Sequence, residues 1–203
     1  MRNIFVTGIG TDVGKTVVSA MIVEALKADY WKPVQSGTYF PTDSERVKTW
    51  ISNSKTVIHP EAYRLKEAKS PHEAAAAEGI TIDFDKIELP KTNNTIVIEG
   101  AGGVMVPLNQ NYFMVDLIKK FDAETIVVVQ NYLGSINHSL LTIEALQQRG
   151  IKIIGLVFNG SPHEPSKEII LKHTKLPFIT WIANEKEINK AVVLKYAKDF
   201  EKI

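Results

Sequence analysis

An α/β fold, three layers deep with a mainly parallel central sheet, is predicted by three observations. At least five short apolar runs alternate with stretches of helical periodicity along 203 residues, the pattern of strands buried on both faces and covered by helices. The first run, residues 4–6, passes straight into a glycine-bearing turn and then a helix start. A later run, residues 95–98, ends in Glu99 followed by Gly100-Ala101-Gly102-Gly103, so a carboxylate stands where a strand gives way to a flexible turn. In open parallel sheets ligands gather at that edge.

The first of these stretches, IFVTGIGTDVGKTVV, is a phosphate cradle. Gly8, Gly10 and Gly14 let backbone N–H groups approach an anion without a Cβ in the way. Lys15 brings an ammonium to the β and γ phosphates, Thr16 offers Mg²⁺ a hydroxyl, and the following helix points its positive end at the same place. The spacing Gly8, five residues, Gly14 departs from G-x-x-x-x-G-K-[ST], because Ile9 stands where the first glycine belongs. A glycine-rich turn that happens to carry Lys-Thr is the plainer reading. The strand before and apolar helix after favour nucleotide binding, and with it a single P-loop NTPase-type domain over residues 1–203.

The remaining elements follow in order. Residues 16–28 form a helix with Val17, Ala20, Met21, Val23 (or Ile22), Ala25 and Leu26 as its apolar set. A strand over 30–34 ends at or near Lys32 because of Pro33, and Gln35-Ser36-Gly37-Thr38 is read as loop. Asp43 opens a helix as its N-cap, with Arg46 three residues on and hence no full capping box. Residues 58–68 give no clear pattern, 73–78 form a helix closed by Gly79, and 83–89 a short helix. A lone His72 before that helix reads as a capping or hydrogen-bonded histidine rather than a catalyst. Helix 112–121, strand 125–129, a segment 131–138 leading into a helix that ends near Arg149-Gly150, strand 152–158, helix 165–173, strand 178–182 and a closing helix 184–203 complete the chain. Ile188, Val192, Tyr196, Phe200 and Ile203 form the buried face of that last helix, which docks on its own domain rather than on a membrane. Gly134-Ser135 before a helix resembles an anion-binding turn, although a plain strand-to-helix connection is the reading the residues alone favour.

Composition narrows the chemistry. With 24 basic and 23 acidic residues no strong field advertises nucleic acid or an anionic membrane as partner. The absence of cysteine removes disulfides, iron–sulfur clusters, thiolate zinc sites and thiol nucleophiles. No targeting segment precedes the first strand and no apolar run approaches a membrane span, so a cytoplasmic protein is expected.

The ordered blocks FVTGIGTDVGKT, KPVQSG, SPHEAA, VIEGAGGVMVP, NYLGSINHSLLT and GLVFNG resemble the dethiobiotin synthetases, from residue 1 to about Gly160. The resemblance implies an ATP-dependent carbon–nitrogen ligase. In that family 7,8-diaminononanoate takes up CO₂ as a carbamate, ATP phosphorylates it, and the second amine expels phosphate to close a cyclic urea. It makes Lys32 the catalytic lysine, with Lys15 and Thr11 at the reacting anions. Ser36 contacts substrate. ATP is held by Asp12, Val13, Gly14, Lys15, Thr16, Val17, Asp43, Glu99, Gly100, Ala101, Gly102, Asn159 and Gly160, with Asn159 reading the adenine edge. Thr16, Asp43 and Glu99 hold Mg²⁺ through hard oxygen donors. Gly134, Ser135 and Asn137 grip the substrate carboxylate from the neighbouring subunit of a homodimer with shared sites. The chain departs from the family pattern at Gly10 and Asp12, where Asp and Glu are common, and at Ile182-Ala183-Asn184, where Ile-Pro is usual.

Two other classes compete with this one. ATPase switches of the MinD and ParA groups carry a second lysine near the start of the loop, where this chain has Gly10, and they lack the KPVQSG block. A nucleotide-binding module without turnover fits poorly with intact Lys15, Thr16 and Glu99.

Overall fold

The structure is a computed structural model and describes residues 2–38 and 41–203. Its chain runs β1 (Asn3–Gly8), α1 (Lys15–Leu26), β2 (Asp29–Trp31), β3 (Val34–Ser36), α2 (Asp43–Trp50), β4 (Ile58–His59), β5 (Tyr63–Leu65) and α3 (Pro71–Ala77). It continues through β6 (Ile96–Glu99), α4 (Met114–Lys120), β7 (Glu124–Gln130), α5 (Ser135–Gln147), β8 (Ile153–Asn159), α6 (Glu164–Thr174), β9 (Phe178–Ile182) and α7 (Lys190–Ala197) to a 3-10 turn, Lys198–Phe200.

Among the described residues seven strands form one parallel sheet in the order β4-β2-β6-β1-β7-β8-β9. The first strand is therefore central, with β6 and β7 on either side, and their apolar residues are wholly buried, as two covered faces require. Because β1 pairs Val6 with Glu99 and Gly8 with Val128, its glycine turn emerges at the carboxyl edge between the ends of β6 and β7. Helix α1 returns beneath that edge, and α7 packs on α1.

Four expectations change. Gln35 and Ser36 are not loop: Pro33 ends pairing with β6, since it has no N–H for the ladder, and from Val34 the chain starts the small parallel pair β3-β5. Residues 83–89 form a turn without a helix. There Ile82 and Ile87 are buried, Phe84 stacks on Tyr112 with centroids 4.0 Å apart, and the Phe84 carbonyl accepts from Lys120 Nζ at 2.7 Å. The cap of α2 is Thr42 rather than Asp43, and with Glu45 it completes a capping box. The closing helix begins at Lys190, where the Asn189 side chain accepts from Ala191 N and Val192 N; it buries Val193, Tyr196, Ala197 and Phe200, while Val192 is half-buried. No helix among the described residues is long and apolar enough to cross a membrane.

The N-terminal end of β2 is tied by Asp29, almost fully buried, which accepts from Val57 N at 3.1 Å, Thr92 Oγ1 at 2.7 Å and Asn94 Nδ2 at 3.2 Å, and meets His59 Nε2 at 3.1 Å. Burial alone would raise its pKa, but these bonds outweigh it and hold the carboxyl below its ordinary value. The stability Asp29 contributes is thus in place above an ordinary aspartate pKa of about 3.9, and is lost as pH falls through the lower folded value. Asp29→Ala is expected to cost about 3 kcal/mol at neutral pH. In chemical denaturation at several pH values the gap from wild type should narrow only below about pH 4; a gap that does not change would contradict this.

Candidate active site

The glycine turn is shaped by packing as much as by its ligand chemistry. A Cβ on Gly8 would lie 2.4 Å from Val13 Cγ2, so the loop can fold back on its own strand only over a glycine. At Gly14 the backbone is left-handed (φ 99°) and a Cβ would meet Asn159 Nδ2 at 2.2 Å. That amide donates to Val13 O at 3.0 Å, tying the end of β8 to the loop. Helix α1 then starts at Lys15, and the Lys15 ammonium folds onto Gly10 O at 2.7 Å.

Above this loop opens a cavity of about 680 Å³. The structure brings to it Thr11, Asp12, Gly14, Lys15, Thr16 and Val17 from the loop and α1, and Lys32 and Ser36 from either end of the Pro33 bend. Asp43 from α2, Glu99 from β6, and Ala101 and Gly102 from the turn after it complete that group. Of the other expected residues, Val13 is buried behind the loop, Gly100 follows β6, and Asn159 and Gly160 lie at the end of β8 beside Gly14. Gly134, Ser135 and Asn137 stand at the start of α5 and do not line the cavity; Ser135 is buried and Asn137 is exposed.

Three charges meet in the cavity wall. Lys32 Nζ donates to Asp43 Oδ2 and, at 3.0 Å, to Glu99 Oε1, which also accepts from Thr16 Oγ1 at 2.8 Å. Lys32 and Glu99 are 5% and 1% exposed, so neither charge is screened by water and each needs the other. Burial would lower the Lys32 pKa, yet the neighbouring Glu99 and Asp43 raise it above the ordinary lysine value, so the ammonium is permanent. Burial would likewise raise Asp43, and Lys32 more than reverses that, holding it ionised. Lys15 behaves differently. Its burial dominates, only partly offset by Glu99 and reinforced by Lys32, and its pKa falls to about 8.

Two carboxylates and one hydroxyl form a donor set that suits a hard divalent cation completed by phosphate and water oxygens. The Lys32 ammonium already lies between those carboxylates as a stand-in cation. Among the described residues no group of three His, Cys, Asp or Glu side chains could hold a metal unaided, so phosphate oxygens would have to complete the coordination. Among the described residues the Ser36 hydroxyl, buried in the cavity wall, has no hydrogen-bond partner, as suits a group that meets a ligand.

Sequence reasoning missed Tyr30 and Gln35. Tyr30 donates to Glu99 Oε2 at 2.8 Å, and Gln35 uses its amide to hold Ser36 O at 3.0 Å and Gly37 O at 3.1 Å. The signal for Tyr30 was its spacing: two residues before Lys32 puts it on the same strand face.

A protein-family model described as an AAA domain matches residues 2–192. The chain is 52% identical over 198 residues to the ATP-dependent dethiobiotin synthetase BioD of Cytophaga hutchinsonii, covering 97% of this chain and 96% of that one. It is 48% identical to the enzyme of the same name from Christiangramia forsetii, covering 99% and 97%, and 40% identical to that of Chlamydia pneumoniae, covering 100% and 91%. Among solved structures it is similar to the cell division ATPase MinD of Pyrococcus furiosus (TM-score 0.60, 14% identity, 99% and 98% covered). It is also similar to a ParA family ATPase of Chlorobium tepidum (TM-score 0.61, 12% identity, 99% and 95% covered). Likeness at that identity reflects the P-loop ATPase fold alone, whereas the near-full-length identities identify the relationship: the chain belongs to the ATP-dependent dethiobiotin synthetases, ligases of biotin biosynthesis.

Proposed function

We propose that the cavity carries out dethiobiotin synthesis with Lys32 and Lys15 as its catalytic cations. The reaction joins CO₂ to one amine of 7,8-diaminononanoate, phosphorylates the carbamate with ATP, and lets the second amine displace phosphate to close the ring. Its obstacle is electrostatic, because carbamate and γ-phosphate are both anions and must touch. Fixed positive charge in a water-poor site lowers that barrier without reorganisation. The observation that carries the reading is Lys32, nearly fully buried and bonded to Glu99, at the same sheet edge as the phosphate lysine.

In this reading Lys15 and the loop amides bind the β and γ phosphates, Thr11 contacts the reacting anions, and Ser36 receives the substrate. Asp12, Val13, Gly14 and Val17, with Gly100, Ala101 and Gly102 across the cavity, form the nucleotide's bed, and Asn159 with Gly160 flank its base. Thr16, Asp43 and Glu99 would hold Mg²⁺, which when bound neutralises phosphate charge and acts as a Lewis acid. One domain does this work, and a cytoplasmic site of action follows from ATP as co-substrate.

The reading includes a homodimer. Gly134, Ser135 and Asn137 lie off the cavity of their own chain, and around them Tyr132, Leu133, Ile136 and Leu141 are exposed, Leu133 completely. Such an apolar patch fits a second copy that lends its α5 start to the neighbouring cavity. Asn137→Ala is therefore expected to weaken diamine binding about tenfold while ATP affinity stays unchanged. Calorimetric titration of each ligand decides this, and an equal loss for both would contradict it.

The direct test is mass-spectrometric detection of dethiobiotin from purified protein, diamine, bicarbonate, Mg²⁺ and ATP. ATP hydrolysis that ignores the diamine and yields no dethiobiotin would refute the ligase reading.

A further inference from the structure

Tyr30 has no part in the scheme above, yet it touches the most buried acid of the site. Strand β2 pairs with β6 so that Tyr30 stands beside Val97. Side chains two apart share a face, so Tyr30 and Val97 face the same side as Glu99, and Lys32, one step past the strand end, continues the row. From there the phenol reaches diagonally, and its Oη donates to Glu99 Oε2 at 2.8 Å. Tyr30 is fully buried and absent from the cavity wall. Burial first, and then the charges of Glu99 and Asp43, push its pKa well above the ordinary tyrosine value.

The two oxygens of Glu99 consequently differ. Oε2 is closed off inside the protein by one phenol, while Oε1 takes the Thr16 hydroxyl at 2.8 Å and the Lys32 ammonium at 3.0 Å. Without a donor Oε2 would be a buried unpaired charge, and the bonds at Oε1 would have to set the carboxylate's rotation by themselves. We propose that Tyr30 is a positioning residue for the ligase reaction, locking Glu99 so that Oε1 alone is offered to Thr16 and the divalent cation. This rests on the assignment of Glu99 as a metal ligand made above.

The test is Mn²⁺ binding to the ADP-bound protein, followed by electron paramagnetic resonance. Tyr30→Phe keeps the ring and removes only the hydroxyl. It is expected to weaken Mn²⁺ binding about tenfold. Glu99→Gln should weaken it at least as much, and the double variant no further than Glu99→Gln alone, because the phenol acts only through that carboxylate. In turnover the cost should appear as a higher Mg²⁺ requirement with the KM for diamine unchanged. Unchanged Mn²⁺ affinity in Tyr30→Phe, or losses that add in the double variant, would overturn the proposal. Wild-type-like Mn²⁺ binding by Glu99→Gln would overturn it through the metal assignment instead, leaving dethiobiotin formation by the wild type to be judged separately. A second readout needs no change at Tyr30. With 3-fluorotyrosine at the six tyrosines, Mg²⁺ and ADP should shift one buried ¹⁹F resonance, and Glu99→Gln should abolish that shift; a set of unmoved resonances overturns the proposal.

Discussion

Lys32→Ala is expected to reduce dethiobiotin formation by roughly three orders of magnitude while ATP still binds. The reason lies in when the charge matters. Before reaction the ammonium is paired, among the described residues, with Asp43 and Glu99, and a divalent cation can take over that duty. When carbamate and γ-phosphate meet, Lys15 and the divalent cation serve the phosphates, and the Lys32 charge is the one proposed to stand between the two anions. Loss of an interaction made mainly in the transition state lowers kcat and kcat/KM together. Steady-state kinetics with calorimetric ATP titration separates this from a binding defect. A variant with unchanged kcat would remove Lys32 from catalysis, and one that no longer binds ATP would make it a nucleotide ligand. Lys32→Arg should recover little, because the planar guanidinium does not reproduce a point charge with three movable donors.

The second large effect is expected at Lys15. Lys15→Met should raise the ATP Kd about 100-fold, the loss of a charge-assisted bond to phosphate in a buried site. The wild type should show the lysine's titration as well. With its pKa lowered to about 8 in the free chain, Lys15 sheds its proton above that pH, while bound phosphate favours the ammonium. ATP affinity measured with EDTA present should therefore be level below about pH 8 and fall about tenfold per unit above it. Calorimetry at about pH 9 in buffers of different ionisation enthalpy should show close to one proton taken up per ATP. Lys15→Met should show none of this pH dependence, and a wild type that binds ATP equally at both ends of the range would contradict the assignment. The same shift makes the free chain gain stability as pH rises from about 8 toward the ordinary lysine value, since there the unfolded state binds more protons than the native one.

The phosphate loop was legible because each of its requirements is local. Strand, glycines, Lys15 and Thr16 lie within one continuous stretch, and the parallel sheet follows from apolar runs with helices between them. Elements decided by distant partners were not legible. Val34–Ser36 pairs with Tyr63–Leu65 across residues that carry no clear pattern, so nothing near Pro33 announced a second sheet. Residues 83–89 have apolar spacing that suits a helix, but Lys120 captures the Phe84 carbonyl and Ile82 and Ile87 are drawn into the core as a turn. Within the site, Glu99 could be found from its strand end. The position of Asp43 came only from family resemblance, because a residue in the first turn of a helix looks like ordinary capping, and the true cap, Thr42, is its neighbour. Tyr30 was hidden because its partner, Glu99, is brought to it only by the pairing of β2 with β6.

In the proposed reaction the Lys32 ammonium stands between two anions that repel each other. The most direct measurement is a crystal structure with Mg²⁺, a non-hydrolysable ATP analogue, the diamine and bicarbonate. The ammonium of Lys32 should lie within hydrogen-bond reach of both a carbamate oxygen and the γ-phosphate. Lys32 turned away from the cavity, touching neither, would contradict the account.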